Sequence, residues 1–232
     1  MESPAPPSSL WFLHLPALLD GRSLDNARSL LGQLKWGDGS GTAGDAARAV
    51  KNNRQAVDGP QKQKLDALLL PKVMAPALLH TTLLPARVHP FVYNRYADGM
   101  EYGWHLDSPV MGGAPPVRTD VAMTLFLSGP ETYDGGELDV EVPGATSSWK
   151  LPAGDAIFYP AIWRHRVRPV TRGERLAAIT WVQCGVRDPV QRHMLSQVKH
   201  VHSALLANGT MPQEAEKLLA VYSAMMRMWV EM

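Results

Sequence analysis

Two residues carry the sharpest chemical signal in the chain. His105 and Asp107 end the strand-like run Tyr102-Gly103-Trp104-His105-Leu106-Asp107. Residues i and i+2 of a strand point to the same side, so an imidazole and a carboxylate converge on one point. A third ligand from another strand would complete a facial triad of two histidines and one carboxylate. That set leaves three positions open on one side of a non-haem Fe(II). The best third ligand is His165, which follows Phe158-Tyr159-Pro160 and opens a strand expected over Arg164 to Val170. Val167 and Pro169 share its face, while Arg164, Arg166 and Arg168 share the other. Arg175 comes ten residues after His165, just past a turn at Gly173. A hairpin there returns the chain to the same region. A guanidinium grips a carboxylate through two parallel hydrogen bonds. The dicarboxylate 2-oxoglutarate needs such a grip at its far end while its keto-acid end chelates iron.

Each of these residues also has a bland reading. A lone buried histidine is ordinarily hydrogen-bonded core, an H-x-D pair occurs by chance, and a hairpin arginine sits in a surface salt bridge. The order discriminates: H-x-D, about sixty residues of strands, a histidine, then an arginine entering the next strand. The remaining candidates are weaker. Gly135-Gly136 reads as a hairpin turn, and the Arg164, Arg166, Arg168 face as solvated surface or a contact for an acidic substrate. His193, His200 and His202 are spaced by seven and two on a helix, not by the four that stacks ligands, and read as exposed. Cys184 reads as core packing. No serine or cysteine has a nucleophile context.

The elements that must position these residues change character along the chain. A proline-rich lead precedes a helix expected over Leu15 to Leu34, capped within Ser23 to Asp25, and a loop over Trp36 to Asp45. A second helix is expected over Gln61 to Leu70, ended by Pro71. From Val88 come short β-rich runs: Val88–Tyr96, Met100–His105, Asp120–Leu127, Gly136–Val142, Ser147–Leu151, Ala156–Tyr159, Arg164–Val170 and Arg175–Cys184. That spacing predicts a sandwich or barrel. After Cys184 the helical period returns. Asp188 and Pro189 open a helix whose stripe is Val190, Met194, Val198, Val201 and Leu205, stopped at Asn208-Gly209. Thr210 and Gln213 form a capping box for a last helix. Its Met225, Met226 and Trp229 read as a helix–core or homodimer contact.

The chain has 232 residues, 45% hydrophobic and 19% charged, with a net charge of +1 and one cysteine, Cys184. These values exclude compositional disorder, a disulfide framework and a cysteine-rich metal site. The even charge gives no reason to expect nucleic acid as a partner. No run approaches the roughly 18 apolar residues of a membrane span. The N-terminus, with Glu2 and early prolines, does not read as a signal peptide. A cytoplasmic location and no membrane partner are therefore expected.

His105-x-Asp107, His165 and Arg175, in that order, resemble the Fe(II)- and 2-oxoglutarate-dependent dioxygenases. Asn94-Arg95-Tyr96 followed by Gly99-Met100-x-Tyr102-Gly103-x-His105-x-Asp107 resembles their prolyl 4-hydroxylase-like branch, and more narrowly the bacterial PKHD-type hydroxylases. Tyr133-Asp134-Gly135-Gly136-Glu137-Leu138 and Leu151-Pro152-Ala153-Gly154-Asp155 support the resemblance, which covers Arg87 to Leu195. It implies a mainly β fold with flanking helices around a double-stranded β-helix, a jelly-roll or cupin-like core. The implied division is a helical region over 1–86 packed on the core, the dioxygenase core over 87–185, and a helical extension over 186–232. It carries Fe(2+) onto His105, Asp107 and His165, and 2-oxoglutarate onto Arg175. Tyr96 is similar to the tyrosine that assists the co-substrate carboxylate, with Tyr93 and Tyr102 as alternatives. Thr124 shares a strand face with that pocket. O2 is the co-reactant, L-ascorbate the implied reductant, and the primary substrate is left open. Two other readings use the same residues: a non-catalytic jelly-roll module sensing iron or 2-oxoglutarate, and a zinc hydrolase with Glu137 as base.

Overall fold

A computed structural model describes residues 12–42, 44–113, 115–209 and 211–231. The N-terminal third runs β1 (Leu13–Leu15), α1 (Gly21–Leu31), β2 (Trp36–Asp38), α2 (Asp45–Arg48), β3 (Lys51–Asn52), β4 (Arg54–Ala56), α3 (Pro60–Met74) and α4 (Ala77–Leu83). Strands follow: β5 (Pro85–Val88), β6 (Val92–Tyr96), β7 (Glu101–His105), β8 (Val110–Met111), β9 (Val117–Arg118), β10 (Val121–Phe126), β11 (Tyr133–Gly135) and β12 (Leu138–Val142). Then come β13 (Ala145–Trp149), β14 (Ala156–Pro160), β15 (His165–Val167), β16 (Val170–Gly173) and β17 (Arg175–Cys184), before α5 (Pro189–Asn208) and α6 (Pro212–Trp229).

The larger sheet has the order β1-β14-β10-β17-β6-β4-β2, with β5 also on β17; the smaller has the order β13-β12-β15-β7-β3. Neighbouring strands are antiparallel. The two sheets close on one another through Ala122, Phe126, Ile157 and Tyr159 from the larger and Leu138, Val140 and Trp149 from the smaller. This is the jelly-roll core. The period of two explains β10, which is buried at every residue. Ala122, Thr124 and Phe126 face the sheet interior, while Val121, Met123 and Leu125 join a second core with the helices. Leu65, Leu69 and Val73 of α3, Leu79 of α4 and Leu31 of α1 cover that outer face. The N-terminal third also extends both sheets, because β3 pairs with β7 and β4 with β6.

Several local expectations need correction. The first helix begins at Gly21 because Leu13–Leu15 pairs with β14 and caps that sheet edge. Its cap is Asp20, which accepts from the Ser23 amide at 2.7 Å. The expected loop after Trp36 contains β2. Pro71 does not end α3, which continues to Met74. The proline is exposed, and burial of Leu69 and Val73 on the opposite side outweighs the lost backbone bond. The run expected over Arg164 to Val170 divides into β15, which pairs in the smaller sheet, and β16, which pairs with β11.

The C-terminal helices show the opposite mixture. Asp188 caps α5 by accepting from the Val190 and Gln191 amides, and Gly209 ends it in the left-handed region at φ 66°. The buried side of α5 is Arg192, Leu195 and His202, whereas Val190, Met194 and Val201 face outward. His202 is therefore buried, His193 half-buried and only His200 exposed. Thr210 of the expected capping box lies outside the described residues; the cap of α6 is Met211, without a side-chain bond. Met225, Met226 and Trp229 pack with Val186 and Leu195, which is the helix–core contact expected of this helix.

Candidate metal and co-substrate site

His105 and His165 are direct cross-strand partners of β7 and β15. Opposed residues share a face, and the two imidazoles stand with ring centroids 4.2 Å apart at 57°. Each ring is fixed by the carbonyl two residues earlier. Nδ1 of His105 meets the Gly103 carbonyl at 2.8 Å, and Nδ1 of His165 meets the Trp163 carbonyl at 3.0 Å. The proton is thus held on Nδ1, and the Nε2 lone pairs are left for a common point. Asp107 arrives there from just beyond β7. Its Oδ1 lies 3.9 Å from His105 Nε2 and 3.6 Å from His165 Nε2. The three ligand atoms lie within 4.8 Å of one another, the only such His/Asp/Glu/Cys cluster among the described residues. Oδ2 of Asp107 accepts from the Trp181 indole at 2.8 Å.

The surroundings keep the first histidine neutral. Burial pushes its pKa down to about 3, helped by His165 and Lys51 and opposed by the Gly103 carbonyl. A neutral imidazole is the form that binds a metal. Tyr102 stacks on His105 at 3.5 Å, and Tyr159 meets His165 edge-on at 5.3 Å.

A pocket of some 780 Å³, counted with its open mouth, joins this cluster to Arg175. The arginine is 1% exposed. Nε, Nη1 and Nη2 are all buried, and none has a hydrogen-bond partner among the described residues. Aromatic faces hold the guanidinium, with Tyr96 at 5.3 Å and Phe126 at 5.4 Å. The hydroxyl of Tyr133, which feels the charge of Arg175, is also buried without a geometric hydrogen bond among the described residues. A desolvated cation with no acceptor is costly. Its environment therefore suits an anion that enters the pocket.

The other sequence candidates fall in different places. Tyr96 sits opposite Arg175 in the sheet register, and burial pushes its hydroxyl up to about 12 against the pull of Arg175 and Asn53. Tyr93, the first alternative, faces the helices and donates to Asp66 at 2.6 Å. Tyr102, the second, lines the pocket on the histidine side. Thr124 is buried and lines the pocket. Arg166 is occupied elsewhere, by Asp139. The expected basic strand face is neutralised, because Asp139 accepts from both Arg166 and Arg168, and Glu141 pairs with Arg164. Glu137 is not among the residues lining the pocket, which leaves a metal hydrolase without its base.

Sequence reasoning missed Trp181, Gly136 and the N-terminal wall of Lys51 and Gln55. Trp181 had a signal: it lies six residues after Arg175 in one strand, hence on the same face. Gly136 gave less. It has φ 67°, and a Cβ there would lie 3.1 Å from Arg175 Cδ and 2.9 Å from the Tyr133 ring. The missing side chain makes room for the guanidinium.

Comparison with known proteins agrees with this geometry. Residues 91–183 match the model of the 2OG-Fe(II) oxygenase superfamily. A PKHD-type hydroxylase of Beijerinckia indica is 39% identical over 94% of this chain and 99% of its own length. Another from Xanthomonas campestris is 38% identical over the same shares. A Pseudomonas putida prolyl-4-hydroxylase shares the fold, with a TM-score of 0.52 at 18% identity over 75% of this chain and 92% of that one. Streptomyces hygroscopicus HygX, solved with nickel and 2-oxoglutarate, shares it at 0.52 and 18% over 75% and 82%.

Proposed function

From the premise that this chain belongs to the 2OG-Fe(II) oxygenase superfamily, as one of the PKHD-type hydroxylases, we propose how its residues divide the work. The protein is an Fe(II)- and 2-oxoglutarate-dependent dioxygenase. Bound iron supplies the oxidation, coupling O2 and the conversion of 2-oxoglutarate to succinate and CO2 to hydroxylation of a substrate C–H bond. In our reading His105, Asp107 and His165 hold the iron through two Nε2 atoms and one carboxylate oxygen. The Gly103 and Trp163 carbonyls keep both imidazoles in the required tautomer. Arg175 takes the far carboxylate of 2-oxoglutarate, and Tyr96 supports its guanidinium from below. Thr124 offers a hydroxyl to the same molecule. The sheets around Tyr159, Ile179 and Leu138 exclude water from the reacting end.

The observation that carries this reading is Arg175. Three buried nitrogens without a hydrogen-bond partner among the described residues belong to the same pocket as the three candidate ligands His105, Asp107 and His165. An anion supplied by the reaction satisfies both. L-ascorbate is proposed as the reductant that keeps the iron divalent between turnovers, and the reducing cytoplasm as the place of reaction. No helix among the described residues is long and apolar enough to cross a membrane. The chemistry is assigned to residues 87–185, supported by 1–86 and 186–232.

Succinate formation tests the reading. Purified protein with Fe(II), O2 and 2-oxoglutarate, without primary substrate, should form succinate slowly, and His165→Ala should abolish it. A sensor that only binds its ligands would form none in either case.

A further inference from the structure

Trp181 Nε1 donates to Asp107 Oδ2 across 2.8 Å, and an indole N–H has no other hydrogen-bonding capacity. The donor is well fixed. Trp181 lies within β17, paired with Ala122 of β10, and its ring meets His89 edge-on at 5.5 Å. The residue is buried among the inter-sheet core side chains. The bond divides the two oxygens of Asp107. Oδ1 is the one that faces the histidine nitrogens, at 3.9 and 3.6 Å, while Oδ2 is turned to the indole.

We propose that Trp181 is a positioning residue that keeps Asp107 a one-oxygen ligand and so reserves a coordination position for 2-oxoglutarate. The inference rests on the iron and 2-oxoglutarate reading above. Three protein donor atoms leave three positions in a facial triad. A keto acid takes two and O2 the third. A carboxylate bound through both oxygens would take one of these, and co-substrate and O2 would then compete for the rest. Occupying Oδ2 with a rigid donor prevents that. The donor comes from the same strand face as Arg175, so β17 both anchors the co-substrate and keeps its place at the metal vacant.

Two variants separate this role from simple packing. Trp181→Phe removes the donor and keeps an aromatic ring, though it leaves space in the core. Replacing the indole by the isosteric benzothiophene, introduced as a non-standard amino acid, exchanges only N–H for sulfur. Without oxygen, Fe(II) affinity is read by competition with a chromogenic chelator. The 2-oxoglutarate midpoint is read from the metal-to-ligand charge-transfer band. Iron should bind as well as in the wild type or more tightly, while the 2-oxoglutarate midpoint rises at least about tenfold in both variants. The proposal is overturned if both affinities fall together, as loss of packing would cause, or if the 2-oxoglutarate midpoint stays within about twofold. A wild-type protein that shows no band at all would overturn the functional reading, and this inference with it.

Discussion

Arg175 pairs across the sheet with Tyr96 and is buried with no hydrogen-bond partner for any side-chain nitrogen among the described residues, a state that costs several kcal/mol unless a ligand relieves it. The proposed metal ligands are arranged differently. His105 and His165 each spend one nitrogen on a backbone carbonyl and keep the other. Replacing His105 or Asp107 by Ala should abolish Fe(II) binding while the fold survives, because His105 ends β7 and Asp107 lies just beyond it. Chelator competition and circular dichroism check the two halves, and a variant that still binds iron like the wild type would remove that residue from the ligand set. These four side chains were legible in the sequence because their order and types are themselves the signal. Trp181 showed only that it shares the strand face of Arg175, and Gly136 only a turn, since an indole in a strand and a glycine in a turn have ordinary reasons to be there. Their roles depend on which atoms the fold brings within reach.

Elements convert residue patterns into registers, and here β17 matters most. Its ten residues carry Arg175 to one end of the pocket and Trp181 to Asp107, and its bounds agree with the sequence expectation. Alternation is a strong signal where one face packs on a sheet interior. Pro71 and Leu13–Leu15 were misread because tertiary burial and edge pairing overrode local propensity. In α5 the hydrophobic stripe misled, since the side that docks carries Arg192 and His202. Gly136→Ala should strain a backbone at φ 67° and push on Arg175, costing about 1–3 kcal/mol. Its 2-oxoglutarate midpoint should rise while Fe(II) affinity holds; equal loss of both would place the effect in the fold. Between β12 and β15, Asp139 offers a pH test. Burial pushes its carboxyl up, but the hydrogen bonds from Arg168 and Arg166 outweigh that and hold it below the usual carboxylate range. A depressed carboxyl contributes stability above its unfolded pKa and loses it as pH falls through the folded value. Asp139→Asn should therefore cost about 1–3 kcal/mol near neutrality, with the difference from wild type shrinking below about pH 4. Urea midpoints across that range check it, and a pH-independent difference would contradict the assignment.

At the scale of the molecule the jelly roll and its flanking helices were legible, but the contacts that join them were not. Eight short runs with turn chemistry specify sheets, but nothing local says that β3 and β4 will extend them or that α3 and α4 will roof the larger one. Those contacts are long-range, and their partners lie far apart in the sequence. A fragment of 87–185 would expose Met123, Leu125 and Val182, which pack against Leu65, Leu69 and Leu79 in the full chain. It should be insoluble or molten by near-UV circular dichroism, whereas removal of α6 alone should lower the melting temperature and leave Fe(II) binding intact. A folded, iron-binding 87–185 fragment would show the flanking helices to be dispensable. The central claim is that one pocket holds iron on His105, Asp107 and His165 and 2-oxoglutarate on Arg175. Titration of 2-oxoglutarate into the oxygen-free, Fe(II)-loaded protein tests it most directly. The account predicts a charge-transfer band in the wild type and none in His105→Ala. For Arg175→Ala it predicts a midpoint raised at least about thirtyfold, given about 1.4 kcal/mol per factor of ten and about 2–5 kcal/mol for an unpaired buried charge. Arg175→Lys should be intermediate, having the charge without the planar fork. A wild-type protein without the band, or an Arg175→Ala midpoint equal to the wild type, would contradict it.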